Sequence, residues 1–122
     1  MTKGQALQEF FSSFGLTAYP STAIPSDAAF PFLTYEAAFG GYGDAPALTV
    51  NLWYYTESEA IPNAKAQEIS ARIGLGGMML PCDGGAIWIR RGSPFAQAIR
   101  DEADPIIKRR YLNVIAEYMT MD

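Results

Sequence analysis

The chain has 122 residues, 49% hydrophobic and 18% charged, proportions of one folded domain that needs neither disulfides nor metals to build a core. Its net charge of −4 argues against general nucleic-acid binding, and its single cysteine, Cys82, excludes an intrachain disulfide and fits a reducing compartment. No histidine occurs, which removes the commonest general base and the commonest zinc ligand together, so neither a catalytic residue nor a cofactor or metal site is expected.

The first segment reads as an amphipathic helix. Leu7, Phe10, Phe11 and Phe14 recur at helical spacing, and Gly15 can end it. Three prolines between residues 16 and 31 predict an irregular crossing with one short extended piece around Leu16–Tyr19. A strand is expected over Phe32–Ala38. The glycine-rich run Gly40–Pro46 then predicts a flexible hairpin loop, with Tyr42 its one large side chain and Asp44 its one charge. Leu48–Tyr55 alternates cleanly and reads as a strand, whereas Pro62–Ile73 carries the stripe Ala66, Ile69, Ile73 of a helix that Gly74 stops. Met78–Pro81 and Ala86–Arg91 read as two strands around an Asp83-Gly84-Gly85 turn. Gly92–Ala103 reads as a polar connection.

The closing segment, Pro105–Tyr118, fits either period. As a strand it faces Leu112, Val114, Ala116 and Tyr118 one way; as a helix it aligns Ile107, Tyr111, Val114, Ile115 and Tyr118. A helix starting at Pro105 would set Lys108, Arg109 and Arg110 against the positive end of its dipole, which favours the strand. Such a strand would extend roughly 40 Å at about 3.3 Å per residue and outrun a small core. The expected architecture is therefore α+β, a mostly antiparallel sheet flanked by two helices in the order α-β-β-α-β-β-β.

No segment carries site chemistry. Gly40-Gly41-Tyr42-Gly43 lacks the Gly-Lys-Ser/Thr of a phosphate loop and precedes no helix. Cys82 sits beside Asp83, which raises a thiol pKa, so it is assigned to turn chemistry. Asp101, Glu102 and Asp104 lack calcium-loop spacing and are expected to pair with nearby cations. Trp53, Tyr55 and Trp88 are expected on one sheet face, packed under a helix, with an intersubunit contact as the second use. Charge is uneven: residues 1–63 hold one Lys and six acids, residues 64–122 eight Lys/Arg and seven acids. The N-terminal half is thus acidic and the C-terminal half close to neutral with a local excess of cations, an asymmetry that suits head-to-tail contact between copies. The N-terminus lacks a signal-peptide core and no run approaches membrane-spanning length, so synthesis in the cytoplasm and no membrane partner are expected.

Three blocks together carry a resemblance: Phe30-Pro31-Phe32-Leu33-Thr34-Tyr35-Glu36, then Leu52-Trp53-Tyr54-Tyr55-Thr56-Glu57-Ser58, then Ile89 through Pro94-Phe95-Ala96-Gln97 and Asp101-Glu102 to Lys108-Arg109-Arg110-Tyr111-Leu112-Asn113. From about residue 5 to residue 119 the chain resembles the tail-terminator (tail completion, head–tail joining) proteins of long-tailed bacteriophages. The resemblance implies a non-enzymatic virion subunit, made in the host cytoplasm. It would form a homo-oligomeric ring, typically a hexamer, that caps the tail tube and offers a docking face to the head connector. Its expected partners are copies of itself, the tail tube protein and the head connector or completion protein, with no specific nucleic-acid binding. Residues assigned to partner contact are Tyr42, Asp44, Arg90, Arg91, Lys108, Arg109 and Arg110. A head-completion or connector adaptor, or a small α+β ligand-binding domain or hydrolase, are the alternatives.

Overall fold

The computed structural model describes residues 1–122 as an α+β fold in which two helices lie on one face of a six-stranded, mostly antiparallel sheet. The elements are α1 (Lys3–Ser12), β1 (Thr17–Pro20), β2 (Phe32–Tyr35), β3 (Ala47–Tyr55), α2 (Ala60–Ile73), β4 (Met78–Cys82), β5 (Gly85–Arg100) and β6 (Ile107–Thr120). Across the sheet the order is β1-β2-β3-β6-β5-β4.

Local chemistry explains the element ends. Thr2 caps α1: its hydroxyl accepts from the Gln5 amide at 3.1 Å while the Gln5 side chain accepts from the Thr2 amide at 2.8 Å, a reciprocal capping box. α2 ends at Gly74, whose φ of 80° is a left-handed value. Alternation then sorts the strands. Leu48, Val50 and Leu52 of β3, Ile87 and Ile89 of β5, and Leu112, Val114 and Ala116 of β6 are fully buried against Leu7 and Phe11 of α1 and Ile69 and Ile73 of α2, in one core cluster. No helix is long and apolar enough to cross a membrane.

Three expectations are corrected. The expected order omits β1, which pairs parallel to β2, so the observed order is α-β-β-β-α-β-β-β. Most of the expected Gly92–Ala103 connection, through Arg100, is instead the second half of β5. The strand passes through an irregularity in which residues 92–95 stand opposite Asn113, with Arg91 paired to Val114 and Ala96 to Leu112. Gly92 permits it: a Cβ there would lie 2.2 Å from the Asn113 amide nitrogen. Finally, β6 is a strand but does not outrun the core. It is central, with β3 hydrogen-bonded along one side and β5 along the other.

The two sheet edges differ. At one, β1 is four residues long, includes Pro20, and has the Ala18 carbonyl bonded by the Gln8 side chain at 3.0 Å. At the other, β4 begins at Met78 opposite Ile89, so Arg90–Arg100 of β5 pairs with β6 alone and no strand lies outside it.

Candidate interaction surface

Odd-numbered residues of β3 and β6 face away from both helices. This uncovered face carries Asn51, Trp53 and Tyr55 from β3, and Arg109, Tyr111, Asn113, Ile115 and Glu117 from β6. Phe32 and Thr34 of β2 join it through their register with Trp53 and Asn51, and Trp88 and Arg90 of β5 through Glu117 and Ile115. One uncovered face is what an antiparallel sheet tolerates when its outward positions are polar or amphipathic.

Within that face the aromatic rings form a connected patch. Phe30 packs on Phe32 at 5.3 Å between centroids and on Tyr55 at 5.8 Å, and Phe32 stacks with Trp53 at 6.1 Å. The Trp53 indole donates to the Thr34 hydroxyl at 3.0 Å, and the Arg109 guanidinium lies 5.1 Å over the Trp53 ring while donating to Asn51 Oδ1 at 2.8 Å. Phe30 and Tyr55 remain 40% and 56% exposed. The patch is thus apolar at its centre and cationic on one side. It corrects the expectation for Trp53, Tyr55 and Trp88: they share a face, and it is the face with no helix over it. Trp88 stands apart from the patch, with its indole donating to the Gly76 carbonyl at 2.9 Å and Arg90 4.3 Å over its ring.

Strand alternation separates the five cations assigned to partner contact. Arg90 and Arg109 lie on the uncovered face, Arg90 in an ion pair with Glu117 at 2.8 Å. Arg91 turns to the helix side and donates to the Ser70 hydroxyl at 2.7 Å. Lys108 bonds the Pro105 carbonyl at 2.6 Å. Arg110 is internal, 4% exposed, and donates to Asn63 Oδ1 at 2.8 Å and Glu59 Oε2 at 2.5 Å. It holds the start of α2 to the sheet and is unavailable to a partner. Glu59 and Asn63 were not legible as its partners, since nothing in spacing links residue 59 to residue 110.

The Gly40–Pro46 loop differs from a free hairpin tip. The Gly43 amide donates to the Tyr118 carbonyl and the Tyr118 amide to the Asp44 carbonyl, each at 2.8 Å. Lys3 Nζ donates to the Gly40 carbonyl at 2.8 Å, and the Tyr118 hydroxyl donates to the Ala38 carbonyl. Asp44 uses its carboxylate on the Gly41 amide at 3.0 Å. Tyr42 projects from this tied loop, 79% exposed.

The remaining polar groups serve the fold. Asp101 accepts from the Ala103 and Asp104 amides at 2.9 and 3.1 Å, and Asp104 from the Ile106 amide at 3.0 Å; these are turn caps where ion pairs with cations were expected. No group of three or more His, Cys, Asp or Glu residues is placed to hold a metal ion. Burial pushes the Cys82 thiol up, with Lys3 opposing and Asp83 adding to the rise, which disfavours the thiolate.

No family model matches the chain, and no curated protein or solved structure matches it either.

Proposed function

We propose that this chain is a structural subunit of the tail-terminator kind: copies of it form a ring, six in the assembled particle, that caps a tail tube and joins it to a head connector. The observation that carries the reading is the aromatic patch. The three sequence blocks that support the resemblance are distant in the chain, yet Phe30 and Phe32 of the first, Trp53 and Tyr55 of the second and Arg109 of the third meet there. A preordered aromatic and arginine cluster on an uncovered sheet face has the composition of a protein–protein hot spot. The absence of any Lys or Arg between Lys3 and Lys65 makes the first half of the chain acidic against a nearly neutral second half, an asymmetry that suits heterologous contacts that close into a ring.

Negative-stain imaging of tail ends tests the proposal. A six-fold ring at the tail–head junction, labelled by an antibody to this chain, is the expected result. One asymmetric copy there, or none, overturns it. The patch is tested separately with Arg109→Glu and Trp53→Ala, which should leave the monomer folded and abolish attachment to the tube or connector.

A further inference from the structure

The second half of β5 is an unprotected edge, and main-chain bonds elsewhere in the sheet fix which groups it exposes. The Thr56 amide donates to the Ile106 carbonyl and the Ala116 amide to the Pro46 carbonyl, so even-numbered residues of β6 bond β3 and odd-numbered ones bond β5. Carried through the register of Gln97 with Tyr111 and Ile99 with Arg109, this alternation points the main-chain groups of Ala96, Ala98 and Arg100 away from β6. Those three residues and Gln97 are exposed, and α2 stands off from them across a cleft of about 370 Å³. From Phe95 to Ile99 there is no charge to turn an arriving strand away, whereas natural edges of this length are charged or covered.

We propose that this edge pairs antiparallel with the same edge of a second copy, about a two-fold axis at Gln97, so that one sheet runs through both copies. Length selects the occupant. The open stretch is bounded by the Gly74–Gly77 turn before β4 at one end and by Asp101 at the other. A second β5 fits that gap because it ends at Arg100, where Asp101 caps a turn into β6, on the side away from the partner. Hydrogen bonding sets the register. Outward groups must meet outward groups, so Ala96 of each copy bonds Ala98 of the other, and Pro94, which has no N–H, need only accept from Arg100. Charge agrees with the direction. Arg90 and Arg91 stand at one end of the edge, and Asp101, Glu102 and Asp104 beside Arg100 at the other. Antiparallel pairing brings the acidic end of each copy to the Arg91 end of its partner and keeps the two Arg100 residues apart. Arg91 has no carboxylate partner within its own chain and the exposed Glu102 no cation. A two-fold contact closes on itself and cannot run around a cyclic ring, so the dimer is a state of the free chain and does not rest on the ring reading.

The test uses the full chain with Cys82→Ser. Across the axis Gln97 faces its own copy in a non-hydrogen-bonded pair, with Cα atoms about 4.5 Å apart, within the reach of a disulfide. Gln97→Cys should therefore link to a dimer, and no further, on mild oxidation. Ala98→Pro removes only an outward donor, so the monomer should fold while the dimer dissociation constant in sedimentation rises about tenfold or more. Gln97→Lys, which opposes two charges across the axis, should do the same and decides the matter if the proline variant does not fold. A chain that stays monomeric up to its solubility limit assigns the edge to a different polypeptide and overturns the proposal, as do dimers that Gln97→Lys leaves intact or that form no 97–97 link. Six-fold rings on tail ends with a monomeric free chain would remove the dimer and leave the ring reading standing. A linked dimer without rings on tails would do the reverse.

Discussion

Arg110 and Glu59 form an ion pair of unequal halves: the arginine side chain is 5% exposed and the glutamate 62%, with 2.5 Å between Nη2 and Oε2. The pair ties the turn before α2 to the central strand. Its asymmetry also decides which partner is costly to lose.

Removing the glutamate leaves a desolvated guanidinium with Asn63 as its main remaining partner. Glu59→Gln should therefore cost about 2 kcal/mol in urea unfolding. Arg110→Met should cost less, since Glu59 is then free to hydrate and the methionine fills much of the vacated volume. Equal costs would mean that water reaches the guanidinium. Arg110→Glu, which opposes two carboxylates beside the core, should fail to fold.

Arg109, one residue earlier, should behave in the opposite way. It faces outward over Trp53, so Arg109→Glu should lower stability by no more than about 1 kcal/mol while eliminating assembly onto tails. Circular dichroism melts beside particle imaging check both halves. Normal assembly of the folded variant would exclude the patch from the interface.

Tyr118 carries a pH dependence. Burial pushes its phenol up to about 12 from an ordinary value of 10.0, with Cys82 adding to the rise. Because the folded state holds this proton more tightly, the associated stability is complete below pH 10 and is lost as pH rises toward 12. Tyr35 and Tyr54 are raised by burial in the same sense. Tyr118→Phe should cost about 1 kcal/mol near neutrality, through the lost bond to the Ala38 carbonyl, and should shallow the alkaline unfolding curve. An alkaline limb identical to that of the unaltered chain would remove Tyr118 as a contributor.

Deleting Gly40–Asp44 should destabilise the protein, because Gly43 and Asp44 extend the pairing of Tyr118 with main-chain bonds. In hydrogen exchange, the Gly43 and Tyr118 amides should be protected together, and exchange of Gly43 at the rate of a free peptide would contradict the tie.

The pattern of apolar residues made much of the fold legible. Leu48–Tyr55 and the stripes of both helices face the core as their periods require, and the dipole argument chose a strand over Pro105–Tyr118, where β6 runs Ile107–Thr120. What failed was non-local. The Ser93–Arg100 half of β5 has no clean alternation, since it lies at an edge and buries little, and only its register with β6 defines it. β1 has four residues, too few for a periodic signal, and its strand character comes from pairing with β2. For the site, types were readable and directions were not. Lys108, Arg109 and Arg110 read as one basic cluster, but a period of two sends Arg110 inward and Arg109 outward. The pinned loop was missed for the same reason: Gly43 and Asp44 are held by Tyr118, a residue from the other end of the chain.

The strand at the middle of the sheet, β6, also follows the other five strands in the chain, so it is made after them. Until it emerges from the ribosome, β3 and β5 have no neighbour on their inner sides, and the sheet exists as two halves with apolar edges open to wrong partners. Its pairings with β3 span distant positions such as Ala47 and Ile115, so the closing of the loop is the slow entropic step. Closure of the sheet thereby waits for β6, and a translation product stalled before Ile107 is expected to collect in aggregates or on chaperones rather than to persist as a stable partial fold.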